Sequence, residues 1–306
     1  MQNYNSSLAT GKVVNKKTKK AKQGVFKTIE PYLYILPCIL IFVAFTFYPF
    51  IKTIYLSLNA TNAQGQVSYF VGFDNYLNQF KTPAFINSLL VTVKFAVLTV
   101  FPSMFIGFIA AVLGNTKIKG IGIFRTLYAL PLAISAAAAS IIWMFLFHPS
   151  IGFINYILKT DIGWLTDPTW GLLSVVIVTV WMNIGINFVF MIGGLQSISQ
   201  DLYESASIDG AGILRKHWSI TIPSLGPTLF FLLVINIIHT FQAFGQIKIM
   251  TSGGPGEATN ALVFSIYREA FFNNRFGVAS AQSIILFVIL LILTLLQFRL
   301  EKKVNY

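Results

Sequence analysis

The chain has 306 residues, of which 55% are hydrophobic and only 10% charged, with a net charge of +12. An ordinary soluble domain carries about 25% charged residues because a wetted surface needs them, so a soluble globular fold is excluded. The lysines flank apolar blocks and form no patch interleaved with aromatics, which excludes nucleic acid as a partner. The lone cysteine, Cys38, permits neither an intrachain disulfide nor a Cys-based metal site.

Residues 1–30 carry Lys12, Lys16, Lys17, Lys19, Lys20, Lys22 and Lys27 and read as a mobile cytoplasmic tail. A secretory signal also starts basic, but its apolar region ends after about 7–15 residues at a small-residue cleavage site. The block after Glu30 runs past Tyr48 without such a site. Six apolar blocks follow, at 31–56, 86–113, 123–147, 172–195, 227–247 and 277–298. A bilayer core of about 30 Å needs roughly 20 apolar residues in a helix, so each block is long enough to cross. Helix is the only non-barrel structure that satisfies the backbone in lipid. The predicted fold is therefore an all-α integral membrane protein with about six transmembrane helices over 31–298. Loops are expected at Asn59–Gly65 and Gly253–Gly256, and a short cytoplasmic tail at 299–306.

With both termini inside, the cytoplasmic segments hold the seven tail lysines, Lys117, Lys119, Arg125, Arg215, Lys216, Arg299, Lys302 and Lys303. Only Lys52, Lys81, Lys94, Lys159, Lys248, Arg268 and Arg275 are left outside or at outer ends. The positive-inside rule thus places both termini in the cytoplasm. No Asp or Glu falls within a block, and only His239 lies deep, so the relays that ion-coupled carriers keep despite their cost are missing. An ion-coupled secondary carrier of small polar solutes stays as the alternative reading. The chain also lacks a Walker A: Gly11-Lys12 has neither the upstream glycine nor the following Ser or Thr. Energy for active transport would come from another subunit. No catalytic residues or metal ligands are expected, since His148, His217 and His239 are scattered and no nucleophile–base pairing appears.

The longest cytoplasmic loop is 196–226. Ser197 with Gln200, and Asp201 with Glu204, have capping-box spacing. Tyr203, Ala206 and Gly210 share a helical face, and Gly210 or Gly212 can end that helix in a left-handed conformation. A second short helix is expected to run to about Thr221, where Pro223 stops it. On the residues alone, this helix-turn-helix elbow and a generic amphipathic loop on the inner leaflet fit equally.

Glu204, Ala206, Asp209, Gly210, Ala211, Ile220 and Pro223 stand at the positions of the EAA signature, so the loop resembles that of binding-protein-dependent ATP-binding-cassette importer permeases. Ser205 replaces the second alanine, His217 the usual Phe and Ile222 the Leu. Gly72-Phe73-Asp74-Asn75-Tyr76, Thr251–Pro255 with Thr259, Ile266–Phe271 and Ala279–Ser283 are similar to the carbohydrate-uptake branch. The ending at Gln297-Phe298-Arg299 looks like the A-type permeases of sn-glycerol-3-phosphate importers. This resemblance covers 31–306 and implies the type I importer permease fold in a bacterial inner membrane. It implies a non-catalytic subunit without its own cofactor, moving a carbohydrate or polyol. Its partners would be a second permease, two cytoplasmic ATPase subunits that bind ATP, and an extracytoplasmic solute-binding protein. The elbow would then be the coupling helix, with Glu204, Ala206, Asp209, Gly210 and Pro223 serving ATPase contact.

Polar residues recur inside the spans. Thr179, Asn183 and Asn187 share one face of the fourth block. Asn236, His239, Gln242 and Gln246 of the fifth fall within an arc of about 120°. They read either as hydroxyl-binding groups along a solute pathway or as interhelical hydrogen bonds, worth about 0.6 kcal/mol each. Lys94 and Lys248 could meet a solute phosphate, and snorkelling to the interface explains them equally well.

Overall fold

The computed structural model describes residues 20–116 and 118–304, with side chains described over 30–116 and 118–301. Lys12, Lys16, Lys17, Lys19 and Lys117 lie outside the described residues, as do the side chains of Lys20, Lys22, Lys27, Lys302 and Lys303. Contacts divide the chain into two units, 1–52 and 53–306. In the first, helix α1 (Lys20–Phe42) begins inside the segment read as a tail and passes through a π-helical turn at Val43–Phe47. Helix α2 (Tyr48–Ser57) completes this first long apolar stretch, Glu30–Ser57.

The second unit opens with a small hairpin where a loop was expected. Strands β1 (Asn59–Thr61) and β2 (Val67–Phe70) pair antiparallel with a bulge at Ala60/Thr61. Asn62 closes the turn, its Oδ1 accepting from the N–H groups of Gln64 (3.1 Å) and Gln66 (2.8 Å). Helix α3 (Asp74–Lys81) is tied back by Asn75, whose amide donates to the carbonyls of Ser57 and Asn59 at 2.9 and 3.0 Å.

Helix α4 (Pro83–Gly114) starts on a proline, whose missing N–H has no helical partner at that position anyway. Helix α5 (Ile121–Ala129) runs into a 3₁₀ turn at Leu130–Ala133, then α6 (Ala136–Leu146) and the short α7 (Phe153–Leu158) follow. Helix α8 (Pro168–Gln196) is capped by Asp167, whose Oδ1 accepts from Thr169 N–H at 2.7 Å. Beyond it lie α9 (Gln200–Ile208), α10 (Ile213–Lys216), a π turn at His217–Thr221 and α11 (Ile222–Ser224). The unit ends with α12 (Gly226–Phe241), α13 (Gly245–Met250), α14 (Leu262–Phe271) and α15 (Phe276–Val304). Helix α15 thus continues through the segment expected as a C-terminal tail.

Helices α4 and α8 form the central pair. A Cβ on Gly107 would lie 2.6 Å from Asn187 Cβ, so the two backbones touch as only a bare glycine allows. Val91 and Phe95 cluster with Val175–Val180, while Ala110 and Ala111 cluster with Phe188, Met191 and Leu195. Rising numbers meet rising numbers, so the helices run parallel. The chain between them must therefore return across the membrane once.

That return corrects the expectation of one straight helix at 123–147. The segments Ile121–Ala133 and Ala136–Leu146 meet at a bend of 107°. Ile134 and Ser135 are extended after the Pro131 turn, and Ser135 restarts the helix by accepting from Ala138 N–H at 3.2 Å. The fifth block is also interrupted: the helix stops at Phe241 and resumes at Gly245. The last span is knitted to its neighbours by Gln282, which donates to Gln79 Oε1 (2.7 Å) and accepts from Ser265 Oγ (3.2 Å).

Gly107→Leu inserts a branched side chain into this contact, and overpacking of this kind costs about 1–3 kcal/mol. The purified variant should melt several degrees below the wild type; an unchanged midpoint would mean that α4 and α8 do not approach so closely.

Candidate functional site

The elbow is built by its caps. Ser199 Oγ accepts from Asp201 N–H at 3.3 Å and starts α9. The expected capping pairs do not form, because Ser197 instead donates to the last-turn carbonyl of Gly194 at 2.7 Å. At the other end Gly210 takes φ +73°, which costs other residues about 1–2 kcal/mol. Ala211 N–H reaches Ala206 O (2.8 Å) and Gly210 N–H reaches Ser207 O (3.1 Å), closing the helix as a Schellman motif.

The second arm differs from expectation. Pro223 does not end it, since it lies in the first turn of α11 directly after a π turn that carries the chain past it. Ile222 N–H bonds back to His217 O across the π turn. From Ile213 to Phe241 the chain is helical except for one turn residue at Leu225, so the elbow is continuous with α12.

A polar clamp joins the arms. Buried Thr221 places Oγ1 2.9 Å from Tyr203 OH on α9 and 3.1 Å from His217 Nδ1. Lys216 Nζ donates to Ser207 Oγ at 2.6 Å. The His217 ring also stands edge-on to Phe108 of α4, with centroids 6.5 Å apart. His217, which stands where the signature has Phe, therefore packs and bonds at once. Glu204, Asp209, Gly210 and Pro223 are exposed, whereas Ala206 is half-buried on the face that meets the second arm.

The sequence reading missed the most conspicuous feature of the elbow. Ile208 is 87% exposed, Ile213 and Leu214 76% each and Trp218 71%. Large apolar side chains beside Asp209, Arg215 and Lys216 were the available signal. Among the described residues Glu204 belongs to neither ion pair.

The intramembrane polar residues separate into two groups. Asn187 and Asn236 are sealed, 0% and 1% exposed, and bond each other: Asn236 Nδ2 donates to Asn187 Oδ1 at 2.7 Å and to Leu232 O at 2.7 Å. Ser103 of α4 lies 3.5 Å from Asn236 Oδ1. Asn183, one turn along α8, is half-buried with an Nδ2 that has no partner. His239 and Gln242 are exposed. Gln246 does not share their helix, because the break at 242–244 intervenes; it is buried, with its amide 3.6 Å from Met182 Sδ. Of the two lysines, Lys94 is exposed on α4 and Lys248 is half-buried on α13.

A family model described as the binding-protein-dependent transport system inner membrane component matches residues 32–306. The sn-glycerol-3-phosphate transport system permease protein UgpA of Agrobacterium fabrum is 41% identical over 283 residues, covering 91% of this chain and 97% of that protein. A permease of a bacterial ABC transporter involved in the import of the acidic polysaccharide alginate superposes with a TM-score of 0.81 at 24% identity, covering 94% of this chain and all of that one. A bacterial alginate ABC transporter in complex with an alginate pentasaccharide-bound periplasmic protein matches at a TM-score of 0.79 and 24% identity, covering 92% of this chain and 98% of that one.

Asn236→Ala leaves Asn187 buried without its partner, so about 1–2 kcal/mol of stability should be lost. Thermal melting of the purified protein measures this, and a midpoint equal to wild type would make the asparagine pair energetically neutral.

Proposed function

The chain belongs to the family of binding-protein-dependent transport system inner membrane components, and on that premise we propose that it lines the path of a phosphorylated polyol. It is a permease subunit of an ATP-binding-cassette importer. The solute class follows the printed function of the relative from Agrobacterium fabrum, sn-glycerol-3-phosphate transport.

The observation that carries the proposal is the exposure of His239 on α12 and of Gln242 immediately after its end. They lie about 20 and 24 Å along the helix from Gly226, within the depth of a hydrocarbon core. Polar side chains against lipid at that depth are costly, so this face is covered by a water-lined path and a second permease subunit. Asn183, with its free buried Nδ2, adds a donor for solute hydroxyls.

At the other end, Ile208, Ile213, Leu214 and Trp218 form an apolar knob edged by Glu204, Asp209 and Arg215. A groove on a cytoplasmic ATPase subunit is its counterpart, with one ATPase for each of the two permeases and ATP held by those partners. The complex of the alginate importer with its periplasmic protein supports an external solute-binding protein here. The bias of Lys and Arg then sets both termini in the cytoplasm of a bacterial cell, with the elbow on the ATPase side.

Glu204→Ala and Trp218→Ala should each lower uptake by the reconstituted importer about tenfold, as loss of a charge-assisted contact or a central aromatic anchor predicts. Insertion should be normal and ATPase retention in pull-down reduced; full uptake with full retention in both variants would remove the elbow from the coupling path.

Gln242→Ala addresses the pathway itself. It should raise the transport KM severalfold without reducing the assembled complex, since this side chain is exposed and makes no side-chain hydrogen bond among the described residues. Reduced assembly at unchanged KM would assign Gln242 to subunit contact instead.

A further inference from the structure

A cavity of about 490 Å³ opens between α13 and α14, at the end of the bundle opposite the elbow. Lys248, Ser252, Arg268, Asn273, Phe264 and Phe272 line it. The Lys248 Nζ stands over three rings, 4.9 Å from the centroid of Phe272, 5.0 Å from Tyr267 and 6.0 Å from Phe264. Ring faces hold an ammonium group but leave its charge uncancelled. Among the described residues, neither ion pair includes Lys248.

Arg268 enters the cavity already half-committed. Its Nη2 bonds Glu257 Oε1 at 2.8 Å, which balances that pair and leaves the remaining guanidinium N–H groups free to donate. The net charge of the cavity is therefore the single charge of Lys248. Asn273 adds an exposed amide at the rim. Ser252 closes the wall in a left-handed conformation, φ +48°, with its hydroxyl donated to Lys248 O at 2.9 Å.

We propose that this cavity binds a phosphate group. An ammonium, a guanidinium edge and an amide approach from separate elements, which suits the tetrahedral spread of phosphate oxygens. The aromatic walls accept the carbon chain next to the phosphate. Two sources share this chemistry, the phosphate monoester of the transported solute and the headgroup of a membrane phospholipid. The solute arm rests on the phosphorylated-polyol reading above, whereas the lipid arm does not.

The test uses the assembled importer purified in detergent, with inorganic phosphate as probe followed by ³¹P NMR, and native mass spectrometry to detect retained phospholipid. Lys248→Gln and Asn273→Asp should each weaken phosphate binding about tenfold or more, by losing or opposing a charge-assisted contact, while Lys248→Arg keeps it. If wild type instead holds one phospholipid that inorganic phosphate does not displace, and both variants lose it, the site takes the lipid phosphate. Phosphate binding and lipid retention unchanged in both variants would overturn the proposal and leave Lys248 as an aromatic tether. Asn273→Asp decides the matter if Lys248→Gln fails to assemble, because Asn273 is exposed and outside the ring contacts. Failure of the solute reading shows separately, as absent uptake of sn-glycerol 3-phosphate by the wild-type importer.

Discussion

Asn187 resting on the bare backbone of Gly107 brings α4 and α8 into direct contact, and α12 takes its place from that pair. In lipid no hydrophobic force presses helices together, so association depends on close backbone approach and on hydrogen bonds. Asn187 supplies both. Its side chain meets the glycine on α4, and its amide holds Asn236 on α12. One buried residue thus fixes three helices, with Ser103 closing the third side. The parallel direction of α4 and α8 then obliges the chain between them to cross in a single broken pass.

The elbow is asymmetric for a related reason. Its first arm, α9, is an autonomous helix with a serine cap at one end and a glycine cap at the other. The second arm has no end of its own, because it continues into α12. Thr221 serves as the pin between them, since it is buried and shared by Tyr203 and His217. His217 suits this place better than a phenylalanine would: it keeps the edge contact with Phe108 and adds a bond that no hydrocarbon ring can make.

Much of this was legible in the sequence, and the remainder was hidden for identifiable reasons. Long apolar runs declare membrane helices by length alone, so the spans were found near their observed places. The bend at Ser135 was hidden because a proline and a serine within an alanine-rich apolar run leave hydropathy unaltered. The break after Phe241 has no proline, and its glycine comes only at Gly245. The elbow glycine was readable, as left-handed geometry restricts the residue that can occupy it. Fusion of the second arm to α12 was not, since Pro223 signals a stop unless a π turn precedes it. Helical periodicity gathered the polar residues of the fifth span into one arc. It could not tell that Asn236 turns to a neighbour within the chain while His239 and Gln242 face outward.

The helical run from Ile213 to Phe241, interrupted by the turn residue Leu225, has a mechanical meaning. It is seated along α8 and not at a single point: Leu225 and Leu232 cluster with Met191 and Leu195, Asn236 bonds Asn187, and a Cβ on Gly194 would lie 2.6 Å from Leu225 Cδ2. A displacement of Trp218 relative to the bundle must therefore disturb this buried seam before it reaches His239, which makes the elbow and the central helix pair one continuous load path.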